Sequence, residues 1–390
     1  MRAHPAETAP GLGPGRLLLI IVTACLLLAN LYYPQPILHE AADALGLPGD
    51  AAGALITAGQ LGYIAGLLLV APLGDVLDNR RLCAAMTAGA GLCACRLAGR
   101  VRAALSRAHA AHGRVRHDHP GAGGIRHSLA GPGRSGKILG IMAAGLFLGI
   151  ALSRPVASLM AGAAGWRTVY LGSGLVLLGV GLCLYALLPE RRGGRRAPGT
   201  FAVLRSMARL LRFPLLLRRS AVSAGAFFSF SMFWSAMPLA LAGHPEATQG
   251  GITLFTLAGL VTPPCMLLVS KLLDRGKGRK ILLTALGCGI LAWLLPLAGS
   301  AWLGIFFAAA LLLDPASSAV TVTVQQRILA EAPAEARGRL NSLNISMNFL
   351  GGAAGAALGP WLLAHLGPRA VTLTGALLLV CLLRSVTASR

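Results

Sequence analysis

Ten apolar runs of membrane-spanning length follow one another along this chain. They lie at about 17–38, 51–73, 137–164, 168–188, 220–242, 251–272, 281–299, 301–325, 340–365 and 370–387. One helical crossing needs about 20 mainly apolar residues, so each run is a candidate transmembrane helix. An eleventh stretch, 82–95, starts like a span and then stops being apolar. The first run is too long for the core of a cleavable signal and is followed by further spans, so it reads as the first helix.

Composition agrees. Charged residues make up 12% and hydrophobic ones 55%, with mean hydropathy +0.68. A soluble domain carries about 25% charged residues, so a water-facing surface of this size is excluded. The formal charge of +22 would suggest nucleic acid in a soluble protein, but in a membrane protein it reflects where the loops lie. Cys25, Cys183, Cys265, Cys288 and Cys381 sit in apolar runs as small hydrophobes,. No CxxC pair or histidine spacing suggests a metal.

The basic residues set an orientation. With the N-terminus in the cytoplasm and a helical pair filling 82–133, the cytoplasmic side receives Arg80, Arg81, Arg134, Lys137 and nine arginines between 191 and 219. It also receives Lys271, Arg275, Lys277, Arg279, Lys280, Arg327, Arg337 and Arg339, while Arg167 and Arg369 fall opposite. Both termini are therefore expected in the cytoplasm. The long polar connection 189–219 separates an N-terminal helical bundle, 1–188, from a C-terminal one, 220–390.

The two halves repeat. Leu73-Gly74-Asp75-Val76-Leu77-Asp78-Asn79-Arg80-Arg81 follows the second span, and Leu273-Asp274-Arg275-Gly276-Lys277-Gly278-Arg279-Lys280 follows the second span of the later half. Each places an Asp at the same distance before a basic pair in a short turn. The Asp can accept from a neighbouring helix N-terminus and the basic pair can anchor at headgroups. An ordinary charged turn does not predict that spacing twice, and internal repeats mark transporters.

With these turns the chain resembles the major facilitator superfamily of secondary transporters, nearest its bacterial efflux-permease branch. The turns look like that superfamily's loop between helices two and three and its echo between helices eight and nine. Asn30-Leu31-Tyr32-Tyr33-Pro34-Gln35-Pro36, Gly165-Trp166-Arg167 and Ala332-Pro333-Ala334-Glu335-Ala336-Arg337-Gly338-Arg339 are similar to the same branch. The resemblance implies an all-α membrane protein of two six-helix bundles around a central cavity that opens alternately to either side. It also implies Asp75, Arg80, Arg81, Asp274, Arg275, Arg279 and Lys280 as conformational-switch loops. Asp78, Asn79 and Ser270 depart from the loop patterns. The fifth span reads Gly149-Ile150-Ala151-Leu152-Ser153-Arg154-Pro155 instead of the antiporter pattern of proton-coupled exporters, so the coupling mode stays open.

Residues 96–133 do not fit. Where the resemblance calls for the end of the third helix and all of the fourth, the chain carries Arg96, Arg100, Arg102, Arg107, Arg114, Arg116 and Arg126, with five of its nine histidines. At roughly 2.5–3.5 kcal/mol per central arginine, no window there should insert. A one-base shift turns CGN arginine codons into Ala, Gly, Val, Asp or Glu and histidine codons into Thr, Ile or Met. The segment therefore reads as a compensated frameshift or sequencing error from near Cys95 to near Ser128, disrupting the third and fourth helices. A basic insert binding nucleic acid or anionic lipid is the rival, without aromatic interleaving or a recognisable fold to support it.

Ionisable residues inside spans are costly and mark function. Asp314, central in the tenth span, reads as a proton carrier or substrate contact, against a carboxylate paired within the bundle or a span break before Pro315. Arg154 in the fifth span reads equally as an anion site or half of an interhelical ion pair. Asn341, Asn344 and Asn348 share one face of the eleventh span, where interhelical hydrogen bonding competes with lining a cavity. Gly351, Gly355 and Gly359 continue at a spacing that means close helix packing. Gln60 and Gln35 are weaker cavity candidates.

With no nucleophile–base pair, metal cluster or phosphate loop, an enzyme is not expected, nor a cofactor. The expected function is secondary transport of a small molecule, as efflux, by a monomer in a bacterial inner membrane, with protons as a candidate coupling partner and no nucleic acid. The alternatives are a non-functional remnant of such a transporter and a membrane-anchored binding protein using the basic segment.

Overall fold

The computed structural model describes residues 14–70, 79–99, 135–188, 214–241, 248–297, 303–332 and 336–388. Among these no strand occurs. In lipid no water satisfies backbone N–H and C=O groups, so an apolar chain folds into helices that satisfy them internally.

The elements in order are α1 (Pro14–Tyr32), α2 (Leu38–Leu45), α3 (Ala54–Val70), α4 (Asn79–Gly99), α5 (Ser135–Ala164) and α6 (Trp166–Leu187). After the 189–213 interval come α7 (Pro214–Leu241), α8 (Gln249–Leu257), α9 (Thr262–Asp274), α10 (Gly278–Leu294), α11 (Leu303–Glu331) and α12 (Arg337–Ala388). Among the described residues eight helices are long and apolar enough to cross a membrane. One is the α8–α9 pair, joined by the 3-10 turn Ala258–Val261. Another, α12, holds two spans, because Gly367 takes φ 78° and breaks the helix just before Pro368. Left-handed φ suits glycine alone at little cost.

These helices cover the ten apolar runs, with two differences. The third helix does not stop at Cys95 but continues to Gly99 with an exposed Arg96 in its last turn, where a cation meets the negative end of the helix dipole. It packs closely on α6, since a Cβ added at Gly91 would lie 2.7 Å from the Gly174 carbonyl oxygen. The third helix is therefore present over Asn79–Gly99, but it is not among the helices apolar enough to cross a membrane. Residues 100–134, which carry the rest of the basic segment, lie outside the described residues. The second difference is that α7 begins at Pro214, so the last residues of the expected 189–219 connection are helical. Proline suits a helix start because the first N–H groups lack intrahelical acceptors anyway.

The glycine row of the eleventh span packs as expected. Cβ atoms added at Gly351, Gly355 and Gly359 would lie 2.2, 2.1 and 2.8 Å from the carbonyl oxygens of Ala224, Phe228 and Met232, successive turns of α7. The same seam uses the asparagines. Asn344 Oδ1 accepts from Ser220 Oγ at 2.9 Å and Asn348 Oδ1 from Ser223 Oγ at 2.6 Å, while Asn341 Oδ1 accepts from Gln325 Nε2 of α11 at 2.5 Å. Close backbones and side-chain hydrogen bonds are what hold helices together in lipid. Leu182, Leu377 and Leu366 stay more than 60% exposed, as lipid-facing residues do.

The N-terminal half (α1–α6) meets the C-terminal half (α7–α12) along an antiparallel seam between α3 and α12. A Cβ at Gly53 would lie only 2.0 Å from the Ala356 carbonyl oxygen. Thr57 Oγ1 donates to the Ala353 carbonyl at 3.0 Å, and the Tyr63 and Phe349 rings lie 4.3 Å apart. Leu38, Ala42, Ala52, Ile56 and Ala356 form one small apolar cluster there. Ser158 of α5 and Thr253 of α8 join the other flank at 2.8 Å. The end of the molecule holding residues 38–53 is thus closed.

Candidate functional site

Behind that closed end, at mid-helix depth, two charges are buried together. Arg154 is fully buried and Asp314 4% exposed. Arg154 Nη1 donates to Asp314 Oδ2 at 2.7 Å, and Arg154 Nε to Gln35 Oε1 at 2.6 Å. The other carboxylate oxygen, Asp314 Oδ1, accepts from Trp234 Nε1 at 2.6 Å. Aromatic faces surround the guanidinium, whose carbon lies 3.9 Å from the Trp234 ring centre, 5.0 Å from Phe230 and 5.5 Å from Tyr32. Such faces attract a desolvated cation.

Local sequence makes room for this. Arg154 and Asp314 each stand directly before a proline inside a helix, Pro155 in α5 and Pro315 in α11. A mid-helix proline donates no backbone hydrogen bond and loosens the helix at its own level. Gly259, in the turn between α8 and α9, presses on the pair. A Cβ there would lie 3.0 Å from Arg154 Nη1 and 3.3 Å from Asp314 Oδ2.

The ion pair joins the two halves, since Arg154 belongs to the first and Asp314 to the second. Removing two charges from water is costly, and their attraction offsets this only when the geometry is good and the remaining polar atoms are bonded. Asp314 meets that condition with both oxygens engaged. Arg154 does not, for its Nη2 has no protein partner.

The other expected residues fall elsewhere. Gln60 lies in the seam between halves, donating through Nε2 to Ser231 Oγ at 3.1 Å. Asn344 is not with the ion pair but in the α7–α12 seam. The loop residues lie at the opposite end from the closed one. There Arg80 Nε donates to the Tyr185 carbonyl at the end of α6, with its guanidinium carbon 4.6 Å from the Tyr185 ring centre. Arg279 Nη2 donates to the Thr387 carbonyl at the end of α12 at 3.4 Å. Each basic residue therefore opens a third helix of its half and caps the last, across 105 and 108 residues, so the repeat read in the turns is also a repeat in packing. Asp274, Arg275 and Lys280 are exposed, Arg81 stands beside Arg80 in the first turn of α4, and Asp75 lies outside the described residues.

Sequence reasoning missed Trp234, Phe230 and Tyr32 as the wall around Arg154. A signal was available in Phe227-Phe228-Ser229-Phe230-Ser231-Met232-Phe233-Trp234, a dense aromatic run in a chain with only 5% aromatic residues.

The sequence model of the Major Facilitator Superfamily matches residues 19–328 and 219–388. The chain belongs to this superfamily. It is 31% identical over 369 residues to the putative uncharacterized transporter YgaY of Escherichia coli K12, covering 94% of this chain and 93% of that one. It is 35% identical over 374 residues to the probable transporter SCO4007 of Streptomyces coelicolor, covering 92% and 86%. Among solved structures it is similar in fold to the nucleoside transporter NupG, with TM-score 0.66, 14% identity and coverage of 95% and 98%. It is likewise similar to the human organic anion transporter MFSD10, with TM-score 0.67, 17% identity and coverage of 96% and 100%. The chain is therefore a multi-pass membrane transporter of the major facilitator type with a major facilitator fold.

Proposed function

We propose that this major facilitator protein exports a small solute across a bacterial cytoplasmic membrane, coupled to protons, with the Arg154–Asp314 pair as its transport centre. Residues 1–188 and 214–390 act as two bundles that rock about this centre, joined by 189–213 on the cytoplasmic face. The protein works as a monomer. The observation that carries this reading is the buried ion pair across the two halves.

Rocking the halves apart at the pair's level exposes two charges that otherwise hold each other. In a poorly polar surrounding, separation is favoured only when a proton neutralises Asp314 or a solute replaces it at Arg154. The pair thus ties opening to binding. The loop arginines support an orientation with the closed end, 38–53, facing away from the cytoplasm. The resemblance of residues 30–36, 165–167 and 332–339 to efflux permeases supports the outward direction. The remnant alternative gains nothing from the relatives, which align with 92–94% of the chain.

Cells producing the full chain and cells producing Asp314→Asn at equal membrane abundance provide the test. Mass spectrometry of the media should reveal at least one small solute that accumulates outside only with the unsubstituted chain, at a rate that depends on pH. Indistinguishable media would end the export reading.

A further inference from the structure

The buried donor left unpartnered at the centre belongs to Arg154. Asp314 has both oxygens engaged, by Arg154 and by Trp234. Arg154 keeps one fully buried donor, Nη2, without a protein partner. Among the described residues Arg154 is the only buried basic side chain. An incoming group must therefore accept hydrogen bonds, and a carboxylate matches the paired donors of a guanidinium through two parallel bonds.

Charge balance sets a second condition. Arg154 and Asp314 together are neutral inside a wall of Tyr32, Phe230 and Trp234. A cationic solute would leave a net positive charge at the centre. An anion alone would leave a net negative charge, and neutrality returns if one proton binds Asp314. The groups facing Asp314 are few. Arg154 comes from α5, Tyr32 from α1 lies beyond it, α7 gives Trp234, and the α8–α9 turn gives Gly259. Among the described residues Asp314 is the only buried carboxylate.

The contact between the halves continues the theme. From Phe230 the rings run on through Phe227 at 5.4 Å, Phe349 at 5.0 Å and Tyr63 at 4.3 Å. Tyr63 belongs to the first half and the three phenylalanines to the second. The row offers stacking and apolar contact beside the guanidinium.

From this we infer that the transported solute is a small organic monocarboxylate with an apolar, ring-bearing body, and that it crosses together with one proton on Asp314. This rests on the Arg154–Asp314 pair being the transport centre. In the empty state Arg154 holds the Asp314 carboxylate. A proton from water bonds to Asp314 Oδ2, making a neutral carboxyl whose Oδ1 still accepts from Trp234. Arg154 then turns Nη1 and Nη2 to the two oxygens of the solute carboxylate. The site again carries no net charge, so it can reopen on the other side, and solute and proton leave together. Outward flux is then electroneutral release of a weak acid down its own gradient.

Benzoate is the probe, with benzylamine and benzyl alcohol as cationic and neutral counterparts, against purified full-length protein in detergent. Calorimetry in buffers of different ionisation enthalpy counts protons. The expected result is benzoate binding with uptake of one proton, so that binding tightens by about tenfold for each pH unit of acidification. Benzylamine and benzyl alcohol should bind at least tenfold more weakly. Asp314→Asn should keep benzoate binding but lose both its pH dependence and its proton uptake. Arg154→Gln/Asp314→Asn, which leaves no unpaired charge to endanger folding, should lose binding. Preference for benzylamine, benzoate binding without proton uptake, or undiminished binding in the double variant would each overturn the inference. Thiol labelling of Ala52→Cys at the closed end, in a chain whose native cysteines are replaced, separates the two levels of the argument. If Asp314→Asn changes that labelling while benzoate fails to bind, the solute class is wrong and the transport centre stands. If neither responds, both fall.

Discussion

Arg154 Nη1 and Asp314 Oδ2 lie 2.7 Å apart although 160 residues separate them in the chain. Each precedes a proline, on helices of different halves, so the strongest buried electrostatic contact among the described residues is also a tie between the bundles.

Breaking this pair from one side should cost more than removing it. Arg154→Gln leaves a buried carboxylate without its cation, and losing one partner of a buried pair costs about 3–5 kcal/mol. Arg154→Gln/Asp314→Asn removes both charges and should recover most of that loss. Thermal unfolding in detergent reads the difference. Equal melting temperatures for Arg154→Gln and the unsubstituted chain would show that the pair contributes nothing to stability.

Asp314→Asn should insert normally and abolish proton-coupled transport, because an amide cannot carry the proton. Flux in proteoliposomes with an imposed pH gradient is the measurement, taken beside a membrane abundance assay. Retained pH-driven flux would remove Asp314 from the mechanism.

Closure at the α3–α12 seam depends on glycine at position 53. Even a methyl there would meet the Ala356 carbonyl oxygen at 2.0 Å, so Gly53→Val should hold that end open. Ala52→Cys, buried in the closed form, should then label several-fold faster and transport should fail. Unchanged labelling would mean that the two helices can close without this contact.

Within the second half, Gly355→Val forces α12 off α7 at the Phe228 carbonyl, and overpacking of this kind costs typically about 1–3 kcal/mol. Gly179, on α6, has nothing within 4 Å of an added Cβ. Gly179→Ala should be neutral or stabilising by up to about 1 kcal/mol through helix propensity. Unfolding of both variants in parallel checks the contrast, and equal effects would contradict the packing argument.

Reporter fusions after Glu190, after Lys280 and at the C-terminus should all report cytoplasm, and one near Pro245 the opposite side. A cytoplasmic report at Pro245 would overturn the orientation drawn from the basic loops.

Much of this was legible along the sequence because the cost of leaving water is local. An apolar run declares a span, and a charge inside one, such as Asp314 or Arg154, declares that it needs a partner, each without knowledge of its neighbours. Four-residue glycine spacing likewise declared a packing face, and Gly351, Gly355 and Gly359 form one. Spacing along a helix says which residues share a face, but not what that face meets. Only the tertiary structure decided that Arg154 and Asp314 answer each other's charge, that Gln35 accepts from the arginine's Nε, and that Trp234 and Phe230 wall them in. It also decided that Asn344 Oδ1 accepts from Ser220 within one half while Gln60 reaches Ser231 across both. These pairings depend on how two bundles, built far apart in the chain, align in depth and rotation, and no one-dimensional pattern encodes that alignment.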